Sequence, residues 1–149
     1  MTIGPTVAGG LKLVPEAEKD WIVLLEIAND GEGKLSKRLA KLMDEDSMWD
    51  EIVVPELEQE FSKQRLAVMR EVVKAKEDKS DIHIVKKSAE IWYGALNQAR
   101  LGLEERYKFG PREFTEASKI EDPVARAAYY RSDFYCTVQS LLLQYVMKD

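Results

Sequence analysis

One cysteine, Cys136, and one histidine, His83, occur in 149 residues. A lone cysteine excludes an intramolecular disulfide and a cysteine-based structural zinc site, and it suits a reducing compartment. A lone histidine excludes histidine-rich zinc sites and the paired Glu-x-x-His motifs of di-iron bundles, and it leaves catalysis short of its commonest tool. Positive charge is also scarce: 22 basic against 27 acidic side chains give a net charge of −5. Nucleic acid is therefore not the expected partner, because binding it needs a basic face that displaces phosphate counterions. No apolar run reaches the roughly 18 residues of a membrane span, and the N-terminus lacks a basic start followed by a hydrophobic segment. A cytoplasmic protein without a membrane partner is expected. Internal repeats, low-complexity tracts and a glycine-rich phosphate loop are absent as well.

What is present is the balance of a folded globular chain, 45% hydrophobic and 33% charged, long enough for one domain with its own core. Residues 1–14, with Gly4, Pro5, Gly9 and Gly10, read as a flexible arm in which Leu11 to Val14 form one short extended piece. Residues 15–149 read as a single helical domain. Pro15 suits a first helical position, and Ala17, Trp21, Leu24 and Ala28 follow at helical spacing up to the breaker Asn29-Asp30-Gly31-Glu32-Gly33. Leu35, Leu39 and Leu42 predict a short second helix, and Ser47 caps a turn carrying Trp49 and Ile52. Pro55 restarts the chain into a helix with Leu57, Phe61, Gln64, Val68, Val72 and Ala75 on one stripe.

Asp81 is then read as the cap of a long helix whose stripe is Ile82, Val85, Ala89, Trp92, Leu96, Ala99 and Leu103. Tyr107 to Ile120 is a connection with at most one helical turn. Asp122-Pro123 starts the last helix, which runs to about Met147 with Val124, Ala127, Arg131, Phe134, Val138, Leu141 and Tyr145 on its stripe. Ala128, Tyr135, Leu142 and Val146 widen the apolar face, a breadth that predicts burial on more than one side. The fold class is all-α, a bundle of five or six helices whose two long C-terminal helices pack antiparallel around Trp92, Leu96, Phe134 and Val138.

Few residues carry chemistry. His83, in the first turn of the long helix beside Lys86 and Lys87, reads as a histidine without a role. Cys136, mid-helix between apolar positions, reads as packing, since neither a histidine nor a helix N-terminus lies close in sequence to activate it. Eight carboxylates without a basic residue fill the stretch between Lys41 and Lys63. Asp44, Asp46 and Asp50 lack the glycine and terminal glutamate of a calcium loop, so no metal is expected there. Asp44, Glu45, Asp46, Asp50 and Glu51 are instead the candidate contact surface for a protein partner.

The polar groups flanking the long helix's stripe stand out more. Tyr93, Asn97, Arg100 and Glu104 share one strip, and Asn97 with Arg100 can present a fork of donors to a carboxylate or to exposed carbonyls. Ala95, Gln98 and Gly102 lie on the opposite flank, where small residues let another helix come close. On the last helix Asp133, Thr137 and Ser140 form a polar strip with Gln139 beside it. Arg131 falls inside the apolar stripe and calls for a carboxylate partner if buried. Tyr93, Asn97, Arg100, Asp133 and Gln139 are thus the candidate cluster, read either as an interhelical network that fixes helix register, as a small-ligand pocket, or as part of a protein-binding groove.

Trp92, Leu96, Asn97, Arg100 and Leu101, with Asp133, Gln139 and Leu142, resemble the patterns Trp-Leu-x-x-Leu-Asn-Asp-x-Arg-Leu and Asp-x-Leu-x-x-Leu-Gln of an uncharacterised bacterial family catalogued as a domain of unknown function. The family is best known from actinobacteria, and its genes often lie beside that of ClpS, the adaptor that delivers substrates to the Clp protease. Arg38-Leu39 ahead of Asp44-Glu45-Asp46 is also similar to an Arg-Leu-x-Pro-x-x-Tyr-x-Asp segment there. The resemblance covers about residues 11 to 147. The chain departs from it at Gln98, where aspartate is expected, at Glu104, where glycine is common, and around Met43, where the proline and tyrosine are missing. The resemblance implies a helical regulatory or accessory protein and transfers no activity. The expectation is a non-enzymatic interaction protein with no cofactor, linked to Clp-type proteolysis. The alternatives are a small-molecule sensor or enzyme with a polar interhelical pocket and, for assembly, a homodimer through the apolar face of the last helix.

Overall fold

The computed structural model of the chain describes residues 1–33, 35, 36 and 53–148. The short helix expected around Leu39 and Leu42, the turn at Ser47, Trp49 and Ile52, and the acidic residues Asp44, Glu45, Asp46, Asp50 and Glu51 lie outside them. The described residues form strands β1 (Thr2–Pro5), β2 (Leu11–Val14) and β3 (Ile82–Ile84), and helices α1 (Glu18–Gly31), α2 (Val54–Asp78), α3 (Lys86–Tyr107) and α4 (Pro123–Tyr145). The protein is mostly helical, but with four helices and a small sheet among the described residues, not five or six helices alone.

The first correction concerns residues 1–14, which are a hairpin and not a loose arm. Thr6 closes it: its amide donates to the Gly10 carbonyl (2.9 Å), its carbonyl accepts from Gly9 and its hydroxyl accepts from the Gly10 amide. Gly9 supplies the positive φ of 88° that this turn requires. β1 pairs antiparallel with β2, and β2 pairs antiparallel with β3 in the register Leu11↔Ile84, Lys12↔His83, Leu13↔Ile82. That register puts Leu11, Leu13, Ile82 and Ile84 together on the buried face and leaves His83 on the exposed one. The second correction follows. Ile82 is not in a helix: Ile82-His83-Ile84 alternates with period two, and the apolar pair closes the core only as a strand beside β2.

The helices begin and end where local chemistry allows. Asp20 accepts from the backbone amides of Glu16 (2.8 Å) and Ala17 (3.1 Å), so α1 starts at Glu18, three residues after Pro15. α2 carries Pro55 in its first turn and closes at Lys79, whose φ of 54° lets the Ser80 amide reach the Ala75 carbonyl at 2.9 Å. In α4 the Asp122 carboxylate accepts from the Val124 amide, as the Asp-Pro start predicts. The connection before it contains two short 3-10 turns, Arg112–Phe114 and Ala117–Lys119.

α3 is the central rod, packed on α1, α2 and α4, and its Trp92, Leu96, Ala99 and Leu103 are buried. It runs antiparallel to α4, because Gln139 reaches Tyr93 and Asn97 while Phe109, just past its other end, packs edge-on against Tyr129 at 5.3 Å. Val138, Tyr135 and Leu142 of α4 are buried against it, and Phe134 is partly buried. Gly102 admits the end of α1: a Cβ there would collide with the Asp30 carbonyl oxygen, which is backbone and cannot swing away. Gly102→Ala is therefore expected to lower stability by about 1–3 kcal/mol despite its better helix propensity. A urea midpoint equal to or above that of the parent would overturn this account of the α1–α3 contact.

Candidate functional site

Three polar clusters stitch the helices together. The tightest centres on Asp30 in the last turn of α1, 2% exposed. Its Oδ2 accepts from Arg131 Nε at 2.8 Å and from the Tyr135 hydroxyl at 2.5 Å, and its Oδ1 accepts from Arg131 Nη2 at 3.0 Å. Arg106 of α3 stands 3.9 Å from Oδ1 and donates to the carbonyls of Asp30 (3.0 Å) and Glu32 (2.8 Å), which complements the C-terminal end of the α1 dipole. The hydrogen bonds that Arg131 donates to Asp30 keep its guanidinium more firmly protonated than usual, while burial and the same carboxylate push the Tyr135 phenol far up. Asp30, read in the sequence only as part of a chain breaker, is the carboxylate that Arg131 called for.

The second cluster joins α3 to α2. Gln98, buried, donates to Gln64 Oε1 (2.8 Å) and accepts from Arg65 Nη1 (2.7 Å), and Arg65 pairs with Glu58 at 3.3 Å. Glu58 also accepts from the Ser36 hydroxyl at 2.8 Å. The flank of Ala95, Gln98 and Gly102 thus meets two helices: Gly102 the end of α1, and Gly94 and Gln98 the Gln64 turn of α2.

The third cluster holds four of the five residues singled out in the sequence. Asn97 Oδ1 accepts from Arg100 Nη2 (3.1 Å) and Gln139 Nε2 (3.4 Å), and the same Gln139 amide reaches the Tyr93 carbonyl at 3.4 Å. Tyr93 takes part through its backbone, its side chain being packed on the core. Arg100 Nε is buried without a partner among the described residues. Asp133 is not brought into this group; it pairs with Arg112 at the surface. Burial alone would weaken the charge on Arg112, but Asp133 together with the neighbouring Cys136 and Tyr129 outweighs it and holds the guanidinium protonated. Cys136 is half-buried. His83 is exposed at the edge of an open pocket of about 290 Å³ beside the hairpin. No group of three or more His, Cys, Asp or Glu among the described residues could hold a metal ion, and no described helix is long and apolar enough to cross a membrane.

A groove of about 410 Å³ lies between α1 and α4. Ile22 and Val23 line one wall and Ala127, Tyr130 and Phe134 the other, with Ile22 53% and Tyr130 57% exposed. Lys19, Asp20 and Arg131 supply its charges. Burial would raise the Asp20 carboxyl, but the amides of Glu16 and Ala17 and the amino nitrogen of Met1, 3.4 Å away, more than offset this and hold it below the ordinary carboxylate range. The sequence signal for the groove was the unusual breadth of the α4 apolar face. Ala128, Tyr135 and Leu142 bury one side of that breadth, and Ala127 and Tyr130 face the groove.

A model of the family described as "Domain of unknown function (DUF2017)" matches residues 40–146. No curated protein and no solved structure matches the chain.

Asp30→Ala leaves Arg131 without its carboxylate and is expected to cost about 3–5 kcal/mol, and adding Arg131→Met should restore part of that loss. Equal urea midpoints for the parent and Asp30→Ala would refute the clasp. Because the folded Asp20 sits below its unfolded value of about 3.9, its stabilisation is present above that pH and is lost as pH falls through the folded value. Asp20→Asn should therefore destabilise at pH 7 by an amount that shrinks below about pH 4. A pH-independent difference contradicts this.

Proposed function

The chain belongs to the DUF2017 family, and from its surface we propose a non-enzymatic interaction protein that seats an apolar segment of a protein partner in the α1–α4 groove. One observation carries this reading: Ile22 and Tyr130, both more than half exposed, flank a preformed apolar trough. Such anchors bind best when they are rigid before the partner arrives, and both stand on helices locked by the Asp30 clasp. Support for a non-enzymatic role comes from the buried ionisable groups: Asp30 is taken up by Arg131 and Tyr135, and Asp20 by backbone amides. The acidic residues Asp44, Glu45, Asp46, Asp50 and Glu51 are a second contact surface in this proposal, resting on sequence alone. The family resemblance nominates a component of Clp-type proteolysis, in the cytoplasm, as the first partner to try.

A second reading, a small-molecule site at Tyr93, Asn97 and Arg100, has the unpartnered Arg100 Nε in its favour. A ligand there at 100 times its dissociation constant would add about 2.7 kcal/mol of stability in a thermal-shift screen. The groove is tested by placing a photo-crosslinking benzoylphenylalanine at Tyr130 in the native cell. One dominant adduct is expected, absent when Ala127→Arg fills the trough. An adduct indifferent to Ala127→Arg would remove the groove from the reading, and an adduct with a second copy of the chain would make the partner a homodimer.

A further inference from the structure

The charges around the groove are unequal in their availability. Asp20 is engaged by two backbone amides and faces the Met1 amino nitrogen. Arg131 is held by Asp30 through two hydrogen bonds, with Glu26 of α1 adding to the negative field around it. Lys19 is exposed and has no ion-pair partner among the described residues. Among the described residues, the one uncommitted charge lining the trough is therefore a cation, on a chain whose net charge is −5.

Its position is defined as well. Lys19 and Ile22 are three residues apart on α1 and share a face. An axial rise of about 1.5 Å per residue puts the ammonium one turn from the apolar rim. Ala127, Tyr130 and Phe134 repeat the spacing of three and four on the opposite wall, so the trough follows the helix axes and suits an occupant lying along it.

We propose that the groove selects a partner segment carrying a carboxylate about one helical turn from a bulky apolar side chain, with Lys19 meeting the carboxylate while the apolar group enters between Ile22 and Tyr130. The proposal rests on the groove reading above and adds the chemistry and direction of its occupant. Lys19 sets specificity and orientation, whereas apolar burial supplies most of the affinity.

The test is a phage-displayed library of random 16-residue peptides panned on the parent protein, on Lys19→Glu and on Ala127→Arg. Thermal unfolding first confirms that each variant is folded. The parent is expected to enrich peptides with a Leu, Ile, Phe or Trp anchor and an Asp or Glu three or four residues away. Lys19→Glu should keep the anchor and exchange the acid for Lys or Arg, and Ala127→Arg should enrich neither. A selected peptide with its acid changed to Lys should bind the parent about two- to fivefold more weakly, a gap that closes at high salt. Groove-dependent peptides indifferent to that change overturn the role of Lys19 and leave the groove standing. Failure to enrich any peptide sensitive to Ala127→Arg overturns both readings. Binding of dodecanoate without any such peptide overturns the protein partner in favour of a small apolar acid.

Discussion

A carboxylate cannot be left alone in the core, and the arrangement of this protein depends on how Asp30 is answered. The last turn of α1 carries it inward, and α4 meets it with a guanidinium and a phenol one turn apart. α3 contributes Arg106 to the carbonyls around it. Each bond is directional, so together they fix the rotation and the axial position of three helices in a way that apolar contact does not. Gly102 is the steric counterpart: the clasp needs α1 to end against α3 at a distance no side chain permits.

The same clasp shapes the surface proposed for binding. Arg131 bonds Asp30 and also lines the trough, so the separation of its two walls is set by a buried ion pair and not by the exposed residues themselves. A groove held open in this way is already formed before anything enters it, which lowers the ordering cost of association. The Gln98 cluster acts similarly on the opposite side of α3, tying down α2 through Gln64 and Arg65. Polar groups between helices serve here mainly to fix where the apolar faces meet.

Much of this was legible along the chain. The three- and four-residue spacing of Val68, Val72 and Ala75, and of Trp92, Leu96, Ala99 and Leu103, marks the buried stripes of α2 and α3. The Asp122-Pro123 pair marks the start of α4. Arg131 announced its need for a carboxylate, and Asn97, Arg100 and Gln139 do meet. Other features were hidden. Ile82 and Val85 are three residues apart, which imitates a helix, and a three-residue strand is too short for its alternation to prevail. Asp30 sits among Asn and Gly, a composition that signals a chain break equally well with or without a buried charge. Asp133, spaced as though to join Asn97, goes to Arg112 because the connection before α4 brings that guanidinium over it.

Local patterns along the chain carry the buried stripes of α2 and α3, the Asp122 cap and the demand of Arg131 for a carboxylate, because these depend on side chains within one or two turns of one another. Which partner answers is fixed by the folded arrangement. Arg131 lies 101 residues from Asp30, and β3, in the middle of the chain, pairs with a strand near its start. Those choices turn on packing and on the close approach allowed at Gly102, and no local pattern encodes which of several distant carboxylates or strand edges will come within hydrogen-bonding range.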